Sequence, residues 1–199
     1  MNYEESYKTF GNIDIYVIDQ ILKERYVNGQ SILDAGCGGG RNLKWFYSND
    51  FDLYSIDSDV ISIANAKQLY PKAASNFTVG HLDNLPYNQA RFDHIICCAV
   101  LHFAESEMHF KTMFTELVRV LKPRGTLLIR MASNIGLDGN APEITNKENG
   151  KKGTYYLTRE RITSLLLEFE LKLLEPVKTT NVQDERAMTT LVFQKLILS

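Results

Sequence analysis

A glycine-rich stretch with flanking carboxylates is the first part of this sequence that could do chemistry. The segment "ILDAGCGGGRN" carries Asp34, Gly36, Gly38 and Gly40, and the next apolar run, "FDLYSID", ends on Asp57. Glycines let the main chain approach a ligand closely and turn sharply between a strand and a helix. A carboxylate at the end of the second strand can accept hydrogen bonds from both hydroxyls of a ribose. The spacing therefore indicates a nucleoside-binding turn.

Two classes of cofactor could use such a turn. The dinucleotide fingerprint G-x-G-x-x-G, counted from Gly36, requires glycine at the position of Arg41. That mismatch disfavours a nicotinamide-dependent oxidoreductase. Each aspartate also has a plainer interpretation, because aspartate at the end of a strand often caps a turn or a helix.

Alternating apolar and helical patterns predict the framework that would hold this turn. Near-continuous apolar strands separated by helices are typical of a parallel sheet covered on both faces. We therefore predict a doubly wound α/β fold, Rossmann-like, with a seven-stranded mostly parallel sheet, helices on both faces and a C-terminal antiparallel hairpin. The predicted strands are 31–36, 51–57, 76–83, 91–103, 124–132, 170–177 and 187–198, and residues 178–186 connect the last two. The predicted helices are 13–27, 41–50, 58–70, 105–121 and 157–169. We expect Asp57 or Ser58 to cap the third helix and Thr158 to cap the fifth.

Length and composition favour one ordinary globular domain over residues 1–199. Hydrophobic residues make up 44% of the chain, charged residues 23%, and the formal net charge is −2, which disfavours disorder and a nucleic-acid partner. Within the domain we expect an N-terminal helical lid region over 1–30 and a substrate or lid loop over 132–156.

The same composition bears on location and metals. No stretch approaches the roughly 18 apolar residues of a membrane span, so we expect a cytoplasmic protein with no membrane partner, either a monomer or a homodimer. The three cysteines, Cys37, Cys97 and Cys98, show no metal-ligand spacing. We expect no metal site.

Five motifs in order carry a resemblance to a known family. From about Ser31 to the C-terminus the chain resembles the class I S-adenosylmethionine-dependent methyltransferases, through "ILDAGCGGGRN", "YSIDSD", "GHLDNLPY", "FDHIICCAVLHF" and "LVRVLKPRGTLLI". The resemblance implies that the last strand inserts between the fifth and the sixth. "GRN", the short chain and the tail are also loosely similar to small bacterial methyltransferases of the tellurite-resistance type.

The resemblance implies S-adenosylmethionine as the cofactor and a set of residues that bind it. Asp34 and the glycine main chain would face the methionine part, Asp57 the ribose hydroxyls, and Asp83 the adenine amino group. The full set of implied cofactor contacts is Asp34, Gly36, Gly38, Asp57, Ser58, Leu82, Asp83 and Ala99.

The acceptor side of the site is less defined by the sequence. His102 is the best-placed ionisable residue for catalysis, and its role as a base, a positioning contact or a packing residue stays open. The expected acceptor contacts are Tyr7, Phe10, His102, Phe103 and Met131. These residues favour transfer of a methyl group to a small molecule by in-line displacement. The alternatives are methylation of RNA or protein, and a cofactor-binding domain without catalysis.

Overall fold

The computed structural model describes residues 2–137 and 153–197, which build a central sheet with helices on both faces. Its strands are β1 (Ser31–Ala35), β2 (Asp52–Asp57), β3 (Phe77–Val79), β4 (Phe92–Cys98), β5 (Leu121–Ser133), β6 (Leu171–Leu173), β7 (Lys178–Val182) and β8 (Arg186–Lys195). Its helices are α1 (Tyr3–Phe10), α2 (Ile15–Leu22), α3 (Lys44–Ser48), α4 (Val60–Leu69), α5 (Glu107–Val120) and α6 (Arg159–Glu168), with short 3-10 turns at Pro71–Asn76 and Leu101–Phe103.

The strand order confirms the predicted fold class. The sheet runs β3-β2-β1-β4-β5-β8-β6, and β7 also pairs with β8. Strands β1 to β5 are parallel, whereas β8 is antiparallel to β5, β6 and β7. The chain moves outward from β1 in one direction and from β4 in the other, so the strand order reverses between β1 and β4. In open sheets of this kind, ligands bind beyond the carboxyl ends of the strands at that reversal.

Both faces of the sheet are buried, as the apolar strands predict. All five residues of β1 are buried, and its neighbouring side chains point to opposite faces. Leu33 packs in the cluster that includes Phe110 and Phe114 of α5. Ile32 packs in the other cluster, with Phe46 of α3 and Val17 of α2. Packing of these two clusters on either face of the sheet positions the strands whose carboxyl ends form the candidate site.

The structure differs from the prediction at several boundaries. Residues 178–182, predicted as part of a connection, form β7, an eighth strand, because their backbone pairs along β8. Residues Tyr3–Phe10 form a separate helix that begins with a capping box between Asn2 and Glu5. Helix α4 is capped by Asp59, which accepts from the N–H of Ile61 and of Ser62, so neither Asp57 nor Ser58 is its cap.

The predicted loop 132–156 is only partly covered by the described residues. Ser133 ends β5 and bridges to Leu157, and Leu157 N–H donates to Ala132 O (3.0 Å). Thr158 caps α6, as predicted, by accepting from Arg161 N–H. Residues 138–152 lie outside the described part of the chain. Among the described residues, no helix is long and apolar enough to cross a bilayer.

Candidate functional site

The glycine turn after β1 is held against β2 by backbone hydrogen bonds. The N–H groups of Gly36 and Cys37 both donate to Ile56 O, at 2.8 and 3.2 Å. Gly36 has φ +77°, and a Cβ there would lie 2.3 Å from Cγ2 of Val100. Only glycine combines that backbone conformation with that close approach. The turn is therefore built to bring main-chain groups to the carboxyl ends of β1 and β4.

Asp57 connects the end of β2 to this turn. Its Oδ2 accepts from Gly38 N–H at 2.7 Å, and its Oδ1 accepts from Asp59 N–H at 2.9 Å. Asp57 lines a crevice of about 660 Å³ together with Ser58 and Leu82. A carboxylate has about four acceptor positions, so Asp57 can accept further hydrogen bonds from a ligand in this crevice.

Asp34 lies beneath the turn and has no hydrogen-bond partner among the described residues. The side chain is 1% exposed, and both carboxyl oxygens are buried and unpartnered. Asn42 lies near enough to lower the pKa slightly but forms no well-aligned hydrogen bond with it. Burial raises the pKa of Asp34 to about 7; the Arg41 charge opposes that rise and the Asp57 charge adds to it. A buried carboxyl in this state is stabilised by a proton or by a nearby cation.

A second crevice, of about 760 Å³, lies on the other side of the turn and carries basic groups. It shares Gly36, Gly38 and Ala99 with the first crevice. Arg41 lines it and donates to Asp14 Oδ2 at 3.2 Å. Lys44 also lines it and donates to the main-chain oxygen of Tyr7 at 3.0 Å. This crevice can therefore accommodate a carboxylate beside the glycine turn.

A third crevice, of about 440 Å³, opens beyond Ala99. His102 and Phe103 form one wall of it, and Arg130 and Ala132 of β5 form another. Burial lowers the pKa of His102, and the nearby Arg130 charge lowers it further. His102 is therefore neutral at pH 7.

The hydrogen bonding of His102 assigns its proton. Ala132 N–H donates to His102 Nδ1 at 3.4 Å. A neutral imidazole that accepts at Nδ1 carries its hydrogen on Nε2. In this geometry His102 offers the crevice a hydrogen-bond donor.

Six of the eight predicted cofactor residues line the first or the second crevice, whereas the buried Asp34 and the exposed Asp83 do not. The carboxylate of Asp83 is 44% exposed and lies 3.9 Å from Nε2 of His109. The neighbouring residues His81 and Leu82 line the first crevice instead. The predicted residues that do line the crevices are Gly36, Gly38, Asp57, Ser58, Leu82 and Ala99.

The predicted acceptor residues divide into two groups. Tyr7 lines the second crevice, and His102 and Phe103 line the third. The structure corrects the expectation for Met131, which is 1% exposed and packs in the core. Side chains alternate along β5, so those before and after Met131 face the crevice while Met131 faces the core. Phe10 is half-buried against the cluster around α2 and α3 and does not line the three crevices, so its acceptor role stays a prediction.

Several residues on the crevices were not predicted from the sequence. Arg130 had a visible signal, because it is the one charged residue in the apolar run "TLLIRMA". The residues of β7 and β8 that line the third crevice had no signal in the sequence, since only the register of the sheet brings them close to β5. The residues of this kind are Thr180, Val182, Arg186, Ala187 and Met188.

These features together describe an α/β domain in which three adjoining crevices meet at the glycine turn and Ala99. Residues 33–129 match the family model described as a methyltransferase domain. A tRNA (carboxymethyluridine(34)-5-O)-methyltransferase from Arabidopsis thaliana is 38% identical over 106 residues, which cover 53% of this chain and 25% of that protein.

Solved structures share the fold over most of the chain. An S-adenosylmethionine-dependent methyltransferase from Methanosarcina mazei superposes with a TM-score of 0.73 at 16% identity, covering 89% of this chain and 98% of that one. A TehB-like S-adenosylmethionine-dependent methyltransferase from Corynebacterium glutamicum gives 0.65 at 23% identity, covering 96% and 93%. Residues 33–129 are thus similar to a methyltransferase domain, and the chain shares the fold of S-adenosylmethionine-dependent methyltransferases.

The family and the site residues agree on the cofactor. The family match and the structural neighbours indicate S-adenosylmethionine. The donor set fits this molecule, because the unpartnered carboxyl of Asp34 suits a cationic ligand and Asp57 suits hydroxyl groups.

The chain matches only 25%, 42% and 44% of the length of the first curated relatives.

Proposed function

We propose that this chain transfers a methyl group from S-adenosylmethionine to a small-molecule acceptor. The observation that carries the proposal is the position of Ala99, which lines all three crevices. Two crevices on either side of the glycine turn suit a nucleoside and an amino acid, and the third adjoins them at that residue. Transfer between two bound molecules requires such adjoining sites, because holding both reactants in place removes most of the entropic cost of their encounter.

The residues of the first two crevices would hold the cofactor. Asp57 would accept hydrogen bonds from the ribose hydroxyls, with Ser58 and the Leu82 main chain beside the adenine. The main chain of Gly36 and Gly38 would contact the methionine part, near the basic group of Arg41. When bound, S-adenosylmethionine supplies a methyl group activated by a sulfonium cation. An ionised Asp34 would favour that positive charge.

The third crevice would take the acceptor. Its volume of about 440 Å³ falls within the range of about 300–1,000 Å³ typical of small-molecule pockets. Phe103 would cover the acceptor and His102 would position it, since its Nε2 is a donor in this geometry. Methylation of RNA is the second candidate, because the plant relative carries a tRNA-modifying name, although the match covers 25% of that protein.

An acceptor screen tests the proposal. The full chain is incubated with S-adenosylmethionine and with either a low-molecular-weight metabolite extract or total tRNA, and release of S-adenosylhomocysteine is measured. We expect release above the acceptor-free background with the metabolite extract. Release with tRNA alone would replace the proposal by its second candidate. Tight cofactor binding with no product in either arm would indicate a cofactor-binding domain without catalysis.

Replacing His102 tests its proposed positioning role. We expect His102→Ala to lower kcat about tenfold and to change the cofactor Kd by less than about twofold, because the loss of one positioning hydrogen bond costs roughly 1.4 kcal/mol. His102→Gln keeps a donor and should recover part of the rate. Steady-state kinetics and calorimetry measure the two quantities. A parallel loss of rate and cofactor affinity would instead indicate a packing role.

A further inference from the structure

The third crevice has an unusual distribution of charge. Arg130 and Arg186 line it, and its described lining residues include no aspartate or glutamate. Hydroxyl groups of Tyr156 and Thr180 also lie on its walls. A small pocket with two guanidinium groups and no lining carboxylate has a positive potential.

Arg130 is only partly compensated by a neighbouring acid. Its Nη1 lies 3.5 Å from Asp14 Oδ2, and the same carboxylate oxygen is 3.2 Å from Nη2 of Arg41. One buried carboxylate thus serves two guanidinium groups. The Nε of Arg130 is buried and has no hydrogen-bond partner among the described residues, while its guanidinium lies 5.5 Å from the centre of the Tyr16 ring. This cation–π contact helps to fix the position of the guanidinium that lines the crevice.

Arg186 lines the same crevice from β8. It is exposed at the start of β8, where it pairs with Val182 of β7. No ion pair within the described part of the chain involves it. Ala132 and Ser133 of β5 pair with Met188 and Ala187, so the register places Arg186 just beyond the end of β5.

We propose that the methyl acceptor is a small molecule carrying an oxyanion, held between Arg130 and Arg186. This inference rests on the proposed function and names its substrate class. Guanidinium groups bind carboxylate, phosphate and related oxyanions through paired hydrogen bonds. The Nε2 hydrogen of His102, which lines the same crevice, adds a donor.

Binding of matched probes to the full chain tests the inference. The chain is first saturated with S-adenosylhomocysteine, and binding of benzoate, inorganic phosphate and the neutral analogue benzamide is then followed by NMR titration. We expect at least one of the two anions to bind up to about fivefold more tightly than benzamide, since one exposed ion pair contributes up to about that factor. Tighter binding of benzoate indicates a carboxylate acceptor, and tighter binding of phosphate indicates a phosphate or inorganic oxyanion.

Substitutions then place the anion in the crevice. Arg186→Gln should weaken the preferred anion roughly fivefold, with Arg186→Lys keeping part of the affinity. Arg159→Gln is the matched control. Arg159 is exposed at the start of α6, so this substitution removes the same charge at a position outside the crevices. Arg130→Gln serves as a second variant if its melting temperature stays close to that of the parent.

Three outcomes would overturn the inference. Equal binding of both anions and benzamide would show no preference for charge. An equal loss in Arg159→Gln would show a general charge effect. Displacement of the anion by tRNA in an Arg186-dependent manner would make the crevice a nucleic-acid contact. Failure to bind S-adenosylhomocysteine at the first step would instead contradict the proposed function, so the two failures are distinguishable.

Discussion

Asp57→Ala lowers the affinity of the chain for S-adenosylmethionine roughly tenfold to a hundredfold. A hydrogen bond to a charged acceptor contributes about 1.5–3 kcal/mol, which corresponds to this range of affinity. The substitution also removes the acceptor for Gly38 N–H, at 2.7 Å, so the glycine turn loses one of its three hydrogen bonds to the end of β2 and keeps the two to Ile56 O. Both effects act on the same binding surface. Isothermal titration calorimetry measures the change directly.

Two further variants separate binding from folding. Asp59→Ala removes the cap of α4 two positions away, which costs about 1 kcal/mol of stability and leaves the crevice lining intact. We expect it to leave the cofactor Kd within about twofold. Asp57→Asn keeps an acceptor without the charge and should fall between the parent and the alanine variant. If Asp57→Ala and Asp59→Ala change the affinity equally, the carboxylate of Asp57 serves the fold and not the ligand.

Local sequence patterns predicted those parts of the site that a single strand and its turn can determine. The sequence around Asp34 was sufficient to predict β1 and the turn that follows it, because an apolar run precedes Asp34 and glycines follow it. Gly36 and Gly38 lie in that turn. Asp57 was found in the same way, because the end of a short apolar strand is visible in the sequence. Each of these inferences depends on residues within one strand-turn unit.

The family resemblance correctly implied that the last strand lies between the fifth and the sixth, but the local sequence did not predict other features that depend on pairing between distant segments. β7 consists of lysine, threonine, asparagine and valine in a mostly exposed strand, and only its register with β8 makes it a strand. The third crevice joins Arg130 to Arg186 across the β5 and β8 pairing for the same reason. Met131 shows the limit within one strand, where a shift of one position exchanges the crevice face for the core face.

The buried carboxyl of Asp34 makes folding and cofactor binding depend on pH in opposite ways. Burial raises its pKa from 3.8 to about 7, so the native state retains a proton that the unfolded state has lost between about pH 4 and pH 7. Below pH 4 both states are protonated, and no cost arises. As the pH rises through this window the native state loses about 1.4 kcal/mol per pH unit relative to the unfolded state, and above about pH 7 the loss is constant.

Asp34→Asn removes this titration. We expect the variant to become more stable relative to the parent by about 1.4 kcal/mol per pH unit from about pH 4 to pH 7, as measured by urea unfolding at several pH values. Asp93→Asn is the control with the opposite sign, because hydrogen bonds from Lys122 and Ser31 outweigh its burial and lower its pKa to about 2. Its loss should destabilise the protein at neutral pH. A stability difference for Asp34→Asn that does not vary with pH would show that Asp34 stays ionised in the native state.

The same carboxyl should make cofactor affinity rise with pH. A cationic ligand above the glycine turn favours the ionised form of Asp34, so binding to the parent releases a proton below about pH 7 and becomes tighter as the pH approaches that value. Calorimetry in buffers of different ionisation enthalpy counts the released protons. In Asp34→Asn the affinity should be lower and nearly independent of pH between 6 and 8, since no carboxyl remains to ionise. An unchanged affinity in this variant would mean that the charge of Asp34 has no electrostatic effect on the ligand. Burial of Asp34 would then lower the stability of the fold without strengthening cofactor binding.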